Sequence, residues 1–204
     1  MELTQESVAA ALRRFGRQEP ATDTATRVRA AVCLLLVPGS RPHETSFVLT
    51  RRSPRLRAHA GQWALPGGRV DEGETSLEAA LRELEEELGV TVAPDRVLGQ
   101  LDDYLTRSGY RITPHVVWAG DLPFVPVPHE AEVASVHVLP VADLDVEPRF
   151  ISIPESDRPV IQVPVAGSLV HAPTGAILHQ FREVVIHGRS TRVAAYEQPV
   201  FAWR

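Results

Sequence analysis

Apolar residues recur along this chain with two periods, and the periods predict helices and strands in a definite order. In residues 4–15, Val8, Leu12 and Phe15 fall on one face of a helix, because residues three or four apart share a helical face. Three apolar or alternating runs then predict strands at residues 29–37, 45–51 and 62–65.

A second helix is predicted over residues 76–88, where signals for both helix ends are present. Thr75 followed three residues later by Glu78 is typical of a capping box, and Gly89 stands where helices usually end. At about 100° per residue, one side of this helix should pack on the core, and it carries Leu77, Leu81, Leu84 and Leu88.

The chain after this helix predicts further strands and a third helix. Residues 97–105 and 110–119 are interpreted as a hairpin around Ser108 and Gly109. The other predicted elements are a strand at 133–139, a short helix at 141–144, extended or edge structure at 150–164 and a helix at 174–187. Strands with helices on both sides predict an α/β fold in which a mixed sheet lies between helices.

The final residues, 196–204, are interpreted as a terminal strand or a docking tail. The aromatic residues of this tail, which include Phe201 and Trp203, are expected in the core or at a dimer interface rather than in a ligand platform. We interpret the chain as one domain with three segments. These are an N-terminal helix and connector (1–26), a core (27–146) and an extension that completes the same domain (147–204).

Charge and cysteine content argue against several classes of partner. A net charge of −5 over 204 residues does not favour a nucleic-acid polymer or a membrane surface. No apolar run approaches the roughly 20 residues of a membrane span. Cys33 is the one cysteine, so a disulfide framework is excluded and a reducing cytoplasm is the expected location.

The helix at 76–88 carries three acidic residues on one turn. At about 100° per residue, Glu83, Glu86 and Glu87 share one face. Like charges so close together destabilise a helix, and a hard divalent cation removes that cost. Oxygen-only ligands favour Mg²⁺ or Mn²⁺, which also bridge phosphate oxygens. Glu85 falls on the far side, where a solvated position is expected.

Residues 68–90 read GRVDEGETSLEAALRELEEELGV and fill every fixed position of the Nudix box. The chain therefore resembles a Nudix hydrolase, which implies an α/β/α sandwich with a mixed β-sheet and a substrate that contains a diphosphate. The resemblance also implies that the Gly68 carbonyl is a metal ligand together with the three glutamates. It further implies that Glu74 orients the box through Arg82.

A second signature stands directly before the box. Residues 49–68 read LTRRSPRLRAHAGQWALPGG and resemble the additional signature of the coenzyme A diphosphatase branch of the family. Two positions depart from it, because Val48 replaces a leucine and Leu65 replaces a phenylalanine, and both keep an apolar side chain. By position, the substrate-binding residues that this resemblance implies are Arg52, Ser53, Arg57, His59 and Gly61.

Arginine forks bind phosphate oxygens in pairs, which suits a nucleotide with several phosphate groups. The expected function is metal-dependent hydrolysis of the diphosphate bond in coenzyme A or a derivative, and the resemblance implies 4'-phosphopantetheine and 3',5'-ADP as products. The first candidates for the group that takes a proton from water are Glu83 and Glu86. A later acidic residue, Glu130 or Glu132, is the alternative.

Two other interpretations stay open. The substrate of the hydrolase could be another nucleoside diphosphate derivative, such as ADP-ribose, a dinucleoside polyphosphate or an oxidised nucleotide. A Nudix-fold protein could also sense a nucleotide without catalysis, although binding alone does not require the complete carboxylate set. The sequence gives no number of metal ions, and the family resemblance allows a homodimer.

Overall fold

A mixed eight-stranded sheet forms the centre of the molecule in a computed structural model that describes residues 1–18, 28–56 and 59–203. In chain order, its strands are β1 (Val28–Pro38), β2 (Thr45–Arg52), β3 (Trp63–Ala64), β4 (Gly67–Arg69), β5 (Val97–Gln100), β6 (Tyr104–Leu105), β7 (Tyr110–Trp118) and β8 (Val133–Pro140). The main path through the sheet runs β3-β2-β1-β7-β5, with β4 paired to β1, β6 to β7 and β8 to β2. The β1–β7 pair is parallel, and the other pairs in this sheet are antiparallel.

Three helices and a smaller sheet surround these strands. The helices are α1 (Gln5–Phe15), α2 (Ser76–Leu88) and α3 (Thr174–Phe181), and α3 continues into a π-helical segment, Arg182–Ile186. The smaller sheet has the order β11-β10-β9 and consists of β9 (Arg149–Ile153), β10 (Ser156–Val165) and β11 (Ser168–His171). Short 3₁₀ segments occupy Pro94–Arg96, Val141–Leu144 and Val200–Ala202.

Alternation along β1 separates two hydrophobic cores, because successive strand residues point to opposite faces. Cys33 and Leu35 pack in the core that includes Leu84 of α2. Leu34 and Leu36 pack in the other core, which contains apolar residues of α1, α3 and the smaller sheet. The sheet is thus enclosed by helices on both faces, which confirms the α/β/α sandwich expected from the sequence.

The helix that carries the acidic residues begins and ends at the predicted positions. Thr75 Oγ1 accepts the Glu78 N–H, the Glu78 carboxylate accepts the Thr75 N–H, and Gly89 adopts φ 65° at the C-terminal end. Leu84 and Leu88 are fully buried, whereas Leu77 and Leu81 are half-buried. Ala79 and Ala80 complete the buried side of α2. The buried face of α2 therefore includes residues beyond the four leucines that the helical spacing identified.

Two predicted elements differ from the structure. The strand predicted at 97–105 is divided into β5 and β6 by Leu101–Asp103, where the buried side chain of Asp102 accepts hydrogen bonds from Arg192 and Gln180. Of the two interpretations of the tail, a strand is wrong, because the described residues 196–203 contain a 3₁₀ turn at Val200–Ala202 and belong to none of the strands.

The extension after residue 146 packs in the same core as α1. Ile161 and Val170 of the smaller sheet are buried with Leu12 and Leu36. These contacts support our proposal that residues 147–204 complete one domain rather than form a second one. Within the described part of the chain, no helix is both long enough and apolar enough to cross a bilayer.

Candidate active site

Two consecutive glycines bring the backbone of β4 against the carboxylates of α2. The Gly67 N–H donates to Glu87 Oε2 at 3.2 Å, and a Cβ on Gly68 would collide with the Glu83 carboxylate. Gly67 also pairs with Val32 at φ 152°, and a Cβ there would collide with the backbone of β1. A side chain at either position would displace neighbouring atoms, so this pair of glycines allows β4 to lie close to both α2 and β1.

Arg82 joins the two ends of the Nudix box. Its Nε donates to Glu74 Oε1 at 2.9 Å, and its Nη2 donates to the Arg69 carbonyl at 3.0 Å. The Nη1 atom donates to Glu83 Oε1 and to Glu86 Oε2, each at 3.0 Å. The hydrogen bond from Arg82 is the main cause that lowers the pKa of Glu74. This geometry supports the proposed structural role of Glu74 and Arg82.

The three glutamates on the shared face differ in burial. Glu87 is 4% exposed as a residue, whereas 16% of the Glu83 side chain and 59% of the Glu86 side chain are exposed. Burial raises the pKa of Glu87 to about 7, against the opposing hydrogen bond from the Gly67 N–H. Burial also raises the pKa of Glu83. Glu85 is exposed, as expected for the far side of α2.

The donors at this site are carboxylate oxygens, which are the ligands that hard divalent cations prefer. Among residues 1–18, 28–56 and 59–203, no three Asp, Glu, His or Cys side chains are already arranged around a common metal position. The Gly68 backbone also lies so close to α2 that an added Cβ would collide with the Glu83 carboxylate. The chemistry of the donors therefore fits a hard divalent cation.

A later loop lies beside the helix that carries these carboxylates. The His129 N–H donates to the Glu87 carbonyl at 2.8 Å, and the N–H of buried Ser53 donates to the Glu132 carbonyl at 2.7 Å. After burial, which is the largest cause, the charge of Glu132 contributes to the raised pKa values of Glu83 and Glu87. The fold thus brings an acidic residue from a distant part of the sequence to the predicted site.

The signature that precedes the box forms the turn between β2 and β3. The Gly61 N–H donates to the Arg52 carbonyl at 3.1 Å, and the Arg52 N–H donates to the Gln62 carbonyl at 3.0 Å. His59 and Gly61 adopt φ values of 56° and 66°, which close the turn. Arg57, the remaining signature residue, lies outside the described residues.

A cavity of about 570 Å³ lies beside this turn, within the size range of small-molecule sites. Among its lining residues are six from the two sequence signatures, namely Arg52, His59, Gly61, Gly67, Gly68 and Arg69. Arg52 Nη1 also lies 4.0 Å from Glu87 Oε1, so a residue that lines the cavity also lies beside the carboxylates of α2. Ser53, by contrast, is 2% exposed, and its Oγ accepts the Arg55 N–H at 3.4 Å.

The cavity also has lining residues that the sequence motifs do not identify. Several of them come from β11, the start of α3 and the tail, among them His171, Pro173 and Phe201. No spacing or motif marks these positions, and the only sequence signal was the cluster of aromatic residues near the C-terminus.

Comparison with known proteins agrees with this fold and with the box. The NUDIX domain model matches residues 26–162, so the chain belongs to the Nudix family. The two curated relatives named below are Nudix hydrolases, and with the domain match they place the chain in that enzyme class. Nudix hydrolases generally use divalent metal ions, which agrees with the oxygen donors of this site.

Two curated relatives carry the name Uncharacterized Nudix hydrolase NudL. The protein from Yersinia enterocolitica is 46% identical over 99 residues, which cover 48% of this chain and 49% of the relative, so this match spans about half of that protein. The protein from Yersinia pestis is 37% identical over 150 residues, which cover 68% of this chain and 73% of the relative. These matches support the family assignment and leave the substrate to be argued from the site.

The crystal structure of a NUDIX hydrolase from Alicyclobacillus acidocaldarius is similar in fold. Its TM-score is 0.54 at 17% sequence identity, and the match covers 78% of this chain and 92% of that chain. At this identity the similarity concerns the fold alone.

Proposed function

We propose that this Nudix hydrolase cleaves the diphosphate bond of coenzyme A or a coenzyme A derivative, with 4'-phosphopantetheine and 3',5'-ADP as products. The observation that carries the proposal is that residues of two sequence motifs line one cavity. Arg52, His59 and Gly61 of the coenzyme A-type signature line the same cavity as Gly67 and Gly68, which contact the carboxylates of the box.

The residues that would hold Mg²⁺ or Mn²⁺ are Glu83, Glu86, Glu87 and the Gly68 carbonyl. A divalent ion at these oxygens would neutralise charge on the diphosphate and favour ionisation of water. Arg82 holds Glu83 and Glu86 through one guanidinium nitrogen, so it fixes the separation of these two carboxylates. Arg52, at the boundary of the cavity, would provide paired N–H donors for a phosphate.

The proton acceptor is proposed to be Glu83 or Glu86, with a later-loop acid as the alternative. For that alternative, two observations favour Glu132 over Glu130. The Glu132 carbonyl accepts the Ser53 N–H from the signature turn, and the Glu132 charge acts on Glu83 and Glu87. A general base must lie within hydrogen-bond reach of the water that it activates.

Hydrolysis of another nucleoside diphosphate derivative would use the same carboxylates with different contacts in the cavity. A nucleotide sensor would need the cavity without a reaction. The Arg82 network favours an enzyme over a sensor, because it holds Glu74, Glu83 and Glu86 in one arrangement and pure binding gives no reason for that arrangement.

The substrate proposal can be tested at the signature turn. We expect His59→Ala and Arg57→Ala to lower kcat/KM for coenzyme A more than for ADP-ribose, because coenzyme A has an additional 3'-phosphate and a pantetheine arm. A charge-assisted contact contributes about 1.5–3 kcal/mol, which corresponds to a roughly ten- to hundredfold fall in the ratio of the two kcat/KM values.

Arg55→Ala is the matched control, because Arg55 is exposed in the same turn. Its ratio should equal that of the parent protein. An unchanged ratio in both His59→Ala and Arg57→Ala would contradict the coenzyme A assignment and leave the diphosphate hydrolase assignment intact.

A further inference from the structure

One wall of the cavity is built by the C-terminal extension and not by the Nudix box. The wall consists of Ser168, Leu169, His171, Pro173, Ile177 and Phe201. It is attached directly to the central sheet, since Thr174 Oγ1 donates to the Trp63 carbonyl at 3.2 Å. The extension therefore takes part in shaping the cavity that the signature turn also lines.

The chemistry of this extension wall differs from that of the phosphate end. Its aliphatic and hydroxyl side chains have no formal charge, and burial lowers the pKa of His171, which favours the neutral imidazole. Arg52 and Arg69 line the other part of the cavity, next to Gly68 and the carboxylate helix. A substrate with a charged diphosphate and an uncharged organic group would match the two parts in this orientation.

Three Phe, Tyr or Trp residues line the cavity, and their rings are covered to different extents. The Arg51 guanidinium lies 4.7 Å from the centroid of the Trp63 ring, and the Arg69 guanidinium lies 5.5 Å from that of Tyr110. Phe201 instead meets the His171 ring at 5.3 Å and 82°, and the residue remains 59% exposed. Phe201 is thus the lining aromatic that offers an open ring surface, and it does not lie in the core, where the sequence analysis expected the aromatic residues of the tail as one of two alternatives.

The tail that carries Phe201 is anchored on both sides. The Gln198 side-chain carbonyl accepts the Arg107 N–H at 2.9 Å, and the Gln198 backbone carbonyl accepts Trp203 Nε1–H at 3.0 Å. The Arg107 guanidinium lies 5.1 Å from the centroid of the Trp203 ring. Phe201 therefore lies within a 3₁₀ turn that is held in place before a ligand enters.

We propose that Phe201 is the stacking platform for the nucleobase of the substrate and that the extension wall selects nucleotides over other diphosphates. This inference rests on the proposed function in one respect, because that function places the diphosphate of the substrate beside Gly68 and the carboxylate helix. Stacking of a base on an aromatic ring is tolerant of sequence and contributes about 1–3 kcal/mol. That range corresponds to a roughly five- to hundredfold loss of affinity when the ring is removed.

The test is equilibrium binding with two probes that resist hydrolysis. α,β-Methylene-ADP contains the base, and methylenediphosphonate does not. Affinities are measured by calorimetry with Mg²⁺ for the parent protein, Phe201→Ala, Phe201→Trp and Phe150→Ala. Phe150 is the matched control because it is an exposed aromatic residue, 49% exposed, that packs against Tyr196.

Phe201→Ala should weaken binding of α,β-methylene-ADP by roughly five- to hundredfold and leave binding of methylenediphosphonate unchanged. Phe201→Trp keeps an aromatic ring and should bind α,β-methylene-ADP with the affinity of the parent protein. Phe150→Ala should bind both probes like the parent. Equal effects on both probes, or no effect on α,β-methylene-ADP, would overturn the proposal. The binding experiment requires no turnover, so a protein that fails to cleave coenzyme A would refute the proposed substrate and leave this inference to be judged separately.

Discussion

One buried acidic residue of the C-terminal extension, Glu197, should contribute strongly to the free energy of unfolding. This residue is 1% exposed, and its carboxylate accepts hydrogen bonds from Arg107 Nε at 2.8 Å, Ser156 Oγ at 2.9 Å and Arg158 Nη2 at 2.8 Å. Burial alone would raise the pKa of Glu197, but the hydrogen bonds from Arg107, the Gln198 N–H, Ser156 and Arg158 together lower it to about 2. The folded protein therefore favours the charged form of this side chain.

The shift from 4.5 to about 2 sets the size of the expected effect. One pKa unit corresponds to about 1.4 kcal/mol, so the charged carboxylate contributes about 3 kcal/mol to the free energy of unfolding at pH 7. Glu197→Gln resembles the protonated acid and should lose about this amount. For a domain of this size, the loss corresponds to roughly 6–12 °C in Tm.

The pH dependence follows from the lowered pKa. The contribution of Glu197 is complete above its unfolded value and is lost as the pH falls from 4.5 towards 2. The difference in unfolding free energy between parent and Glu197→Gln, measured by urea denaturation, should therefore shrink from pH 6 to pH 3. Glu155→Gln, an exposed neighbour, should resemble the parent at each pH. The reasoning would be refuted if the difference in unfolding free energy between parent and Glu197→Gln stayed constant from pH 6 to pH 3. Equal stability of Glu197→Gln and Glu155→Gln would also refute it.

Two further predictions concern the carboxylate helix. Turnover should be lost in excess chelator and return when Mg²⁺ or Mn²⁺ is added, because the donors are oxygens that bind zinc weakly; full activity in metal-free buffer would contradict this. Glu86→Gln should lower kcat by roughly a hundredfold or more, the scale of a lost metal or base contribution, whereas Glu85→Gln on the exposed side of α2 should match the parent. Equal losses in these two variants would show that the helical-face argument is wrong.

The sequence was informative where chemistry depends on local spacing. The ends of α2 follow from Thr75, Glu78 and Gly89, and the shared face of the glutamates follows from helical geometry, because both involve residues only a few positions apart. Burial of the sheet on both faces follows from the nearly continuous apolar run of β1. For these features, the periodicity of the chain and the structure agree.

The sequence was less informative where distant residues meet. The loop that carries Glu132 is held beside α2 by contacts between residues far apart in the chain, among them the hydrogen bonds from the Ser53 N–H to the Glu132 carbonyl and from the His129 N–H to the Glu87 carbonyl. Phe201 reaches the cavity through the packing of the extension, and local pattern contains no information on that packing. The break between β5 and β6 has the same origin, since Asp102 is held by Arg192 and Gln180 from the extension.

The most direct test of the central claim is mass spectrometry of the products formed from coenzyme A with Mg²⁺ in ¹⁸O-labelled water, with ADP-ribose, a dinucleoside polyphosphate and an oxidised nucleotide as parallel substrates. We predict 4'-phosphopantetheine and 3',5'-ADP, with one ¹⁸O atom incorporated into one of the two products and with coenzyme A consumed faster than the other compounds. Intact coenzyme A together with rapid cleavage of another member of the panel would contradict the proposed substrate, and no cleavage of any member would contradict the proposed hydrolysis of nucleoside diphosphate derivatives.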